Sequence, residues 1–144
     1  MKLVFLLLFL IGGWAAEAQN DVLTVIGNPN GTPASLKFSE LQSVLRGERQ
    51  RWSNGTKIQI ALMKTNTDVG RFTSSKIYNM NPEDVKKFWL ALVFQGKADA
   101  PTFFNSVAEL QAYVSDNPGA IGIVDVPTSG YNTQVVLING RRSL

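Results

Sequence analysis

Ser106-Val-Ala-Glu-Leu-Gln-Ala-Tyr-Val-Ser-Asp-Asn-Pro-Gly-Ala-Ile-Gly-Ile-Val124 decides the fold, because one short run holds a helix, its stop and a buried strand. Ser106 to Glu109 is a capping box, in which the serine oxygen satisfies a first-turn N–H and the glutamate reaches back to the cap. Val107, Leu110 and Val114 then share one side of the helix, and Asn117-Pro118-Gly119 ends it. Ala120 to Val124 is apolar without interruption, which suits a strand covered on both faces rather than one. Such a strand requires helices above and below its sheet.

Working outward, the clearest helix is Pro82 to Gln95. Asn81 stands at its N-cap, Pro82 in its first turn, and Glu83 and Asp84 face the positive end of its dipole. Val85, Phe88, Trp89, Leu92 and Val93 recur at helical spacing and are expected in the core. Gly96 to Asn105 reads as a loop. Arg71 to Tyr78 is expected to be helical, after a polar connection over Thr65 to Gly70. Ile58 to Leu62, entered from the Ser53-Asn54-Gly55 turn, has the length and apolarity of a central strand. Upstream, Ser39 is the expected N-cap of a short helix that buries Leu41, Val44 and Leu45 and ends near Gly47. Asp21 to Ile26 forms a first strand and Gln134 to Ile138 a last one. Strands alternating with helices over short connections predict one α/β domain, a three-layer sandwich with a central mixed sheet flanked by helices.

The amino terminus has the parts of an export signal: Lys2, an apolar run from Leu3 to Ile11, and Ala16-Glu17-Ala18 as a cleavage site. That apolar run is too short to span a bilayer, for which about 20 residues are needed. The expected organisation is therefore a signal peptide over 1–18 and a single domain over 19–144, with no stable membrane insertion after cleavage. The chain contains no cysteine, so an exported protein of this composition relies on packing rather than disulfides and fits a bacterial periplasmic or secreted location. Without histidine or cysteine the usual zinc ligands, the thiol nucleophile and the commonest general base are missing, and neither a metal nor a cofactor is expected. The formal net charge of +3 favours small anions but falls well short of a nucleic-acid-binding stripe.

Three stretches together resemble the phosphate-binding protein family, the type 2 periplasmic binding proteins of phosphate ABC transporters. Leu45-Arg-Gly-Glu-Arg-Gln-Arg-Trp52 is similar to that family's F-x-G-K-x-x-x-W turn. Tyr113-Val-Ser-Asp-Asn-Pro-Gly-Ala-Ile-Gly-Ile-Val-Asp125 is similar to Y-V-x-x-x-P-G-A-I-G-Y-V. Val85-Lys-Lys-Phe-Trp-Leu-Ala-Leu-Val-Phe-Gln-Gly-Lys97 is similar to the K-x-Y-W-x-x-L-I-F-x-G-K stretch of short, solitary members. The resemblance runs from about Val22 to Asp125 and implies one lobe of a two-lobed receptor. Trp52, Gly47, Gly119 and Gly122 are expected to mark the fold rather than the chemistry.

The resemblance also implies an anion half-site. The family loop R-S-D-G-S-G-T aligns with Lys64-Thr65-Asn66-Thr67-Asp68-Val69-Gly70, which makes Lys64, Thr65, Asn66, Thr67 and the following Arg71 the candidate anion-binding residues. Backbone N–H groups, a helix start and hydroxyls are the usual oxyanion donors. Asp68 stands where the family has serine, Val69 and Gly70 replace Gly and Thr, and Asp68 also suits an N-cap or first helical turn. One lobe leaves most of an anion in water, so phosphate or another small oxyanion is expected to bind weakly unless a second copy or a protein partner supplies the other wall. Two other functions compete: hydrolysis by Ser, Lys or carboxylate groups, and a basic surface of Arg46, Arg49, Arg51 and Trp52 gripping nucleic acid.

Overall fold

β1 (Thr24–Gly27) is buried along its whole length, paired with one strand throughout and with a second at Ile26 and Gly27. The computed structural model describes residues 22–144; the signal sequence expected over 1–18 lies outside them. The five-stranded sheet has the order β4-β3-β5-β1-β6, with β3 (Gln59–Met63), β4 (Thr102–Phe104), β5 (Ala120–Val124) and β6 (Gln134–Val135). β4, β3 and β5 run parallel, whereas β1 is antiparallel to both β5 and β6, so the sheet is mixed as expected. The three-layer α/β architecture forms as the sequence predicts.

α4 (Val107–Asp116) covers one face of the sheet, where Gly122 on β5 lets Leu110 and Val114 close down on the strand. α1 (Phe38–Leu45), α2 (Asp68–Thr73), a π-helical turn over Ser74–Tyr78 and α3 (Pro82–Phe94) supply the second cover. The helix expected at Arg71–Tyr78 thus starts three residues earlier and widens into a π turn. Asn79 closes that turn in the left-handed region, with φ of 52°.

Three local expectations need correction. Ser39 lies inside α1, and the cap position belongs to Lys37, whose N–H is taken by Glu40 Oε1 at 3.1 Å. The next N–H, from Phe38, is taken by Asn139 Oδ1 at 3.0 Å, a partner from the far end of the chain that no local pattern reveals. The stretch read as a loop over Gly96–Asn105 contains β4, held by its pairing with β3. Finally, the single strand expected at Gln134–Ile138 breaks at Val136. Its first part pairs with β1, and its second, β7 (Leu137–Ile138), pairs parallel with β2 (Ser35–Leu36) in a separate two-stranded sheet.

Beneath α1 and α3 sits Tyr78, 1 % exposed, whose hydroxyl donates to Leu45 O at 2.5 Å and accepts from Trp89 Nε1 at 3.1 Å. The π turn, the end of α1 and α3 are therefore tied through one phenol. Tyr78→Phe strands a buried carbonyl and a buried indole N–H, and the expected loss is about 1–3 kcal/mol by urea denaturation. A loss under about 0.5 kcal/mol would show that water reaches both groups. Burial also pushes the Tyr78 hydroxyl far above the ordinary tyrosine range. The folded chain then holds a proton that the unfolded chain releases above pH 10.0, so this contribution is intact below that pH and declines above it.

Candidate functional site

The carboxyl ends of β3, β4 and β5 lie on one edge of the sheet. From β3 the chain turns to α2 on one face, and from the neighbouring β4 it turns to α4 on the other. Connections that leave adjacent strands for opposite faces open a crevice, which is where open α/β sheets place ligands. Lys64 N donates to Phe104 O at 2.9 Å and ties the two strand ends together beneath it.

Lys64, Thr65 and Asn66 are brought together there. With Lys86 of α3 and Phe103 of β4 they line a cavity of about 310 Å³. Thr65 and Asn66 also border an adjoining hollow of about 490 Å³ with Arg71, Lys87 and the first turn of α3. Thr65 is only 5 % exposed, and among the described residues its hydroxyl makes no hydrogen bond. Lys64 is exposed and forms no ion pair within that same set.

The other two candidates are committed elsewhere. Thr67 is the N-cap of α2: its hydroxyl donates to Lys64 O at 2.6 Å and accepts from Gly70 N at 3.0 Å. Arg71 donates to Asn66 O at 2.7 Å and pairs with the Asp68 carboxylate. Asp68 occupies the first turn of α2, and its pairing with Arg71 cancels the repulsion it would direct at an anion.

Gly70 explains why this loop sits so close to β3. A methyl group there would lie 2.0 Å from Lys64 O and 2.9 Å from Thr65 Cα. The sequence comparison registered Gly70 only as the loss of a threonine, yet it is what lets the first turn of α2 pack on the strand end. Lys86 and Phe103 escaped the sequence reading because they arrive from α3 and β4, and no local motif announces them. Lys86 holds Glu83 at 3.5 Å, an exposed pair that an incoming anion can exchange at little cost.

Against solved structures, the chain is similar to an ABC-type phosphate transport receptor from Vibrio cholerae. The match has a TM-score of 0.66 at 13% identity and covers 90% of this chain and 55% of that one. It is also similar to PstS from Borrelia burgdorferi, with a TM-score of 0.58 at 16% identity, covering 83% of this chain and 48% of that one. The chain folds as one lobe of a phosphate-type substrate-binding protein. It spans about half the length of these structures. No protein-family profile and no curated protein sequence matches it.

In this receptor-like lobe the crevice has one wall, formed by the β3 loop and α3. The residues that motivated a nucleic-acid reading are each engaged within the fold. Trp52 is 2 % exposed and donates to Gly119 O at 2.8 Å, so its ring offers no face to a base. Arg46 donates to Tyr78 O, Arg51 to Gly55 O, and Arg49 lies over the Trp52 ring near Glu40. Among the described residues no helix is long and apolar enough to cross a membrane.

Proposed function

We propose that the chain is an exported, non-enzymatic binding module that takes a small oxyanion of the phosphate type, weakly, at the carboxyl end of β3. Lys64 supplies the charge, Thr65 and Asn66 the hydrogen bonds, and Arg71 holds the Asn66 carbonyl and neutralises the Asp68 carboxylate beside the site. Thr67 positions the loop as the cap of α2. The observation that carries this reading is the water-accessible Thr65 hydroxyl, free of any hydrogen bond among the described residues, beside the exposed Lys64, in the crevice where this fold class binds ligands. The solved structures it resembles are phosphate receptors, and the similarity supports the ligand class. Removal of residues 1–18 on export leaves a periplasmic or secreted domain over 19–144. A second copy or a protein partner is the source of the missing wall.

Calorimetric titration of the exported form with phosphate and sulfate tests the reading. A dissociation constant of about 1 mM is expected for a half-open site. Lys64→Ala weakens it about fivefold, the cost of one charge-assisted contact near water. Absence of any binding at about 10 mM anion would sink the proposal.

A further inference from the structure

α3 carries more apolar surface than the core uses. Val93, expected inside, is 45 % exposed, and Leu90 and Phe94 are 55 % and 84 % exposed. Apolar side chains gathered on an open helix face mark a ligand groove or an interface. Leu90 and Val93 border a formed feature: with Trp89, Ala100, Phe103 and Lys86 they line an almost wholly apolar groove of about 350 Å³ between α3 and β4. Phe103 turns to this side because its neighbour Phe104 packs on Tyr113 of α4, across the sheet.

Lys86 and Phe103 line this groove and also the cavity at Lys64 and Thr65, whose own lining is largely apolar around a few polar groups. The two are adjoining compartments of one trough along α3, charged at one end and apolar over the rest. Lys86 sits at the junction, where its stem can lie on the apolar wall while its ammonium faces the polar end. Inorganic phosphate would occupy only the first compartment, and a plain hydrocarbon would leave Lys64 without an anionic partner among the described residues. Charge complementarity at one end and apolar lining at the other select one kind of occupant.

We propose that the trough binds a single-chain anionic amphiphile as a monomer. Its carboxylate or phosphate head sits at Lys64, Thr65 and Lys86, and its alkyl chain lies over Trp89, Leu90, Val93 and Phe103. The volume is in the range of small-molecule sites. This inference rests on the oxyanion reading of Lys64 and Thr65 given above and names the ligand class for that same site.

The test titrates the full exported chain with inorganic phosphate, butyl phosphate, decyl phosphate and decanol below micelle-forming concentrations. Calorimetry and tryptophan fluorescence, with Trp89 in the trough wall, report binding, and sedimentation reports the oligomeric state. The dissociation constant is expected to fall about two- to fourfold per added methylene until the groove is filled. Leu90→Gln, a neutral change at an exposed helical position checked for folding by circular dichroism, removes the chain-length dependence and leaves inorganic phosphate unchanged. Lys64→Ala weakens every anion by a similar factor. If phosphate binds but chain length has no effect, the amphiphile inference is overturned while the oxyanion reading stands. If decanol binds as tightly as decyl phosphate, the amphiphile inference is overturned; if no anion binds, both are overturned. Self-association abolished by Leu90→Gln, without alkyl binding, overturns the inference in favour of a second copy on the groove.

Discussion

Gly70→Ala is expected to lower the thermal midpoint by about 10 °C or more and to abolish anion binding in whatever fraction stays folded. The added methyl would stand 2.0 Å from Lys64 O, and the obstacle is backbone rather than a flexible side-chain tip. Relief requires the α2 start and the β3 end to separate. Overpacking costs about 1–3 kcal/mol where side chains can move, and this site lies at the upper end or beyond. At about 4 °C per kcal/mol for a domain of this size, the shift is unmistakable by calorimetry. Separation also carries Lys64 and Thr65 away from Lys86 and Phe103, so function falls with stability. A midpoint within about 2 °C of the unmodified chain would mean that the close approach is not a constraint.

Trp52→Ala carries the second large effect, an expected loss of about 3–5 kcal/mol by urea denaturation followed by circular dichroism. The indole is 2 % exposed, and its N–H satisfies Gly119 O at 2.8 Å. Gly119 in turn has φ of 78°, and a methyl there would meet Lys57 O at 2.3 Å, so the turn before β5 has little freedom to follow a collapsing cavity. Such a site keeps its cavity, which is the costly outcome. Total stability for a domain is about 5–15 kcal/mol, so the variant is left marginal. Trp52→Phe keeps most of the ring volume and should lose about 1 kcal/mol, chiefly the indole hydrogen bond to Gly119 O, which keeps only the long contact from Gln59 N at 3.5 Å. Equal losses in the two variants would shift the explanation from packing to the hydrogen bond.

The two effects come from residues of unequal legibility in the sequence. Trp52 and Gly119 were legible as structural because their spacing matched a receptor turn and a helix stop. Gly70 was not, since the letter G in a polar loop does not reveal which backbone lies over it. The edge strand Thr102–Phe104 was equally hidden. Three residues gain no signal from periodicity, and only pairing with Ala61, Leu62 and Met63 makes them a strand. Val136 shows the same limit, because a continuous apolar run changes partners there, from β1 to β2, without any change in composition.

By itself the sequence determined the mixed α/β sandwich, the long helix from Pro82 and the buried strand from Ala120. Each is written in local terms: a cap, a period of burial and a stop, which act within a few residues. Only the tertiary structure decided what stands at the end of β3. Lys64 and Thr65 belong to one loop, but Lys86 and Phe103 reach them through a helix and an edge strand whose positions depend on contacts far apart along the chain. Long-range packing also decided that one face of α3 stays open, because an apolar stripe specifies burial without specifying against what.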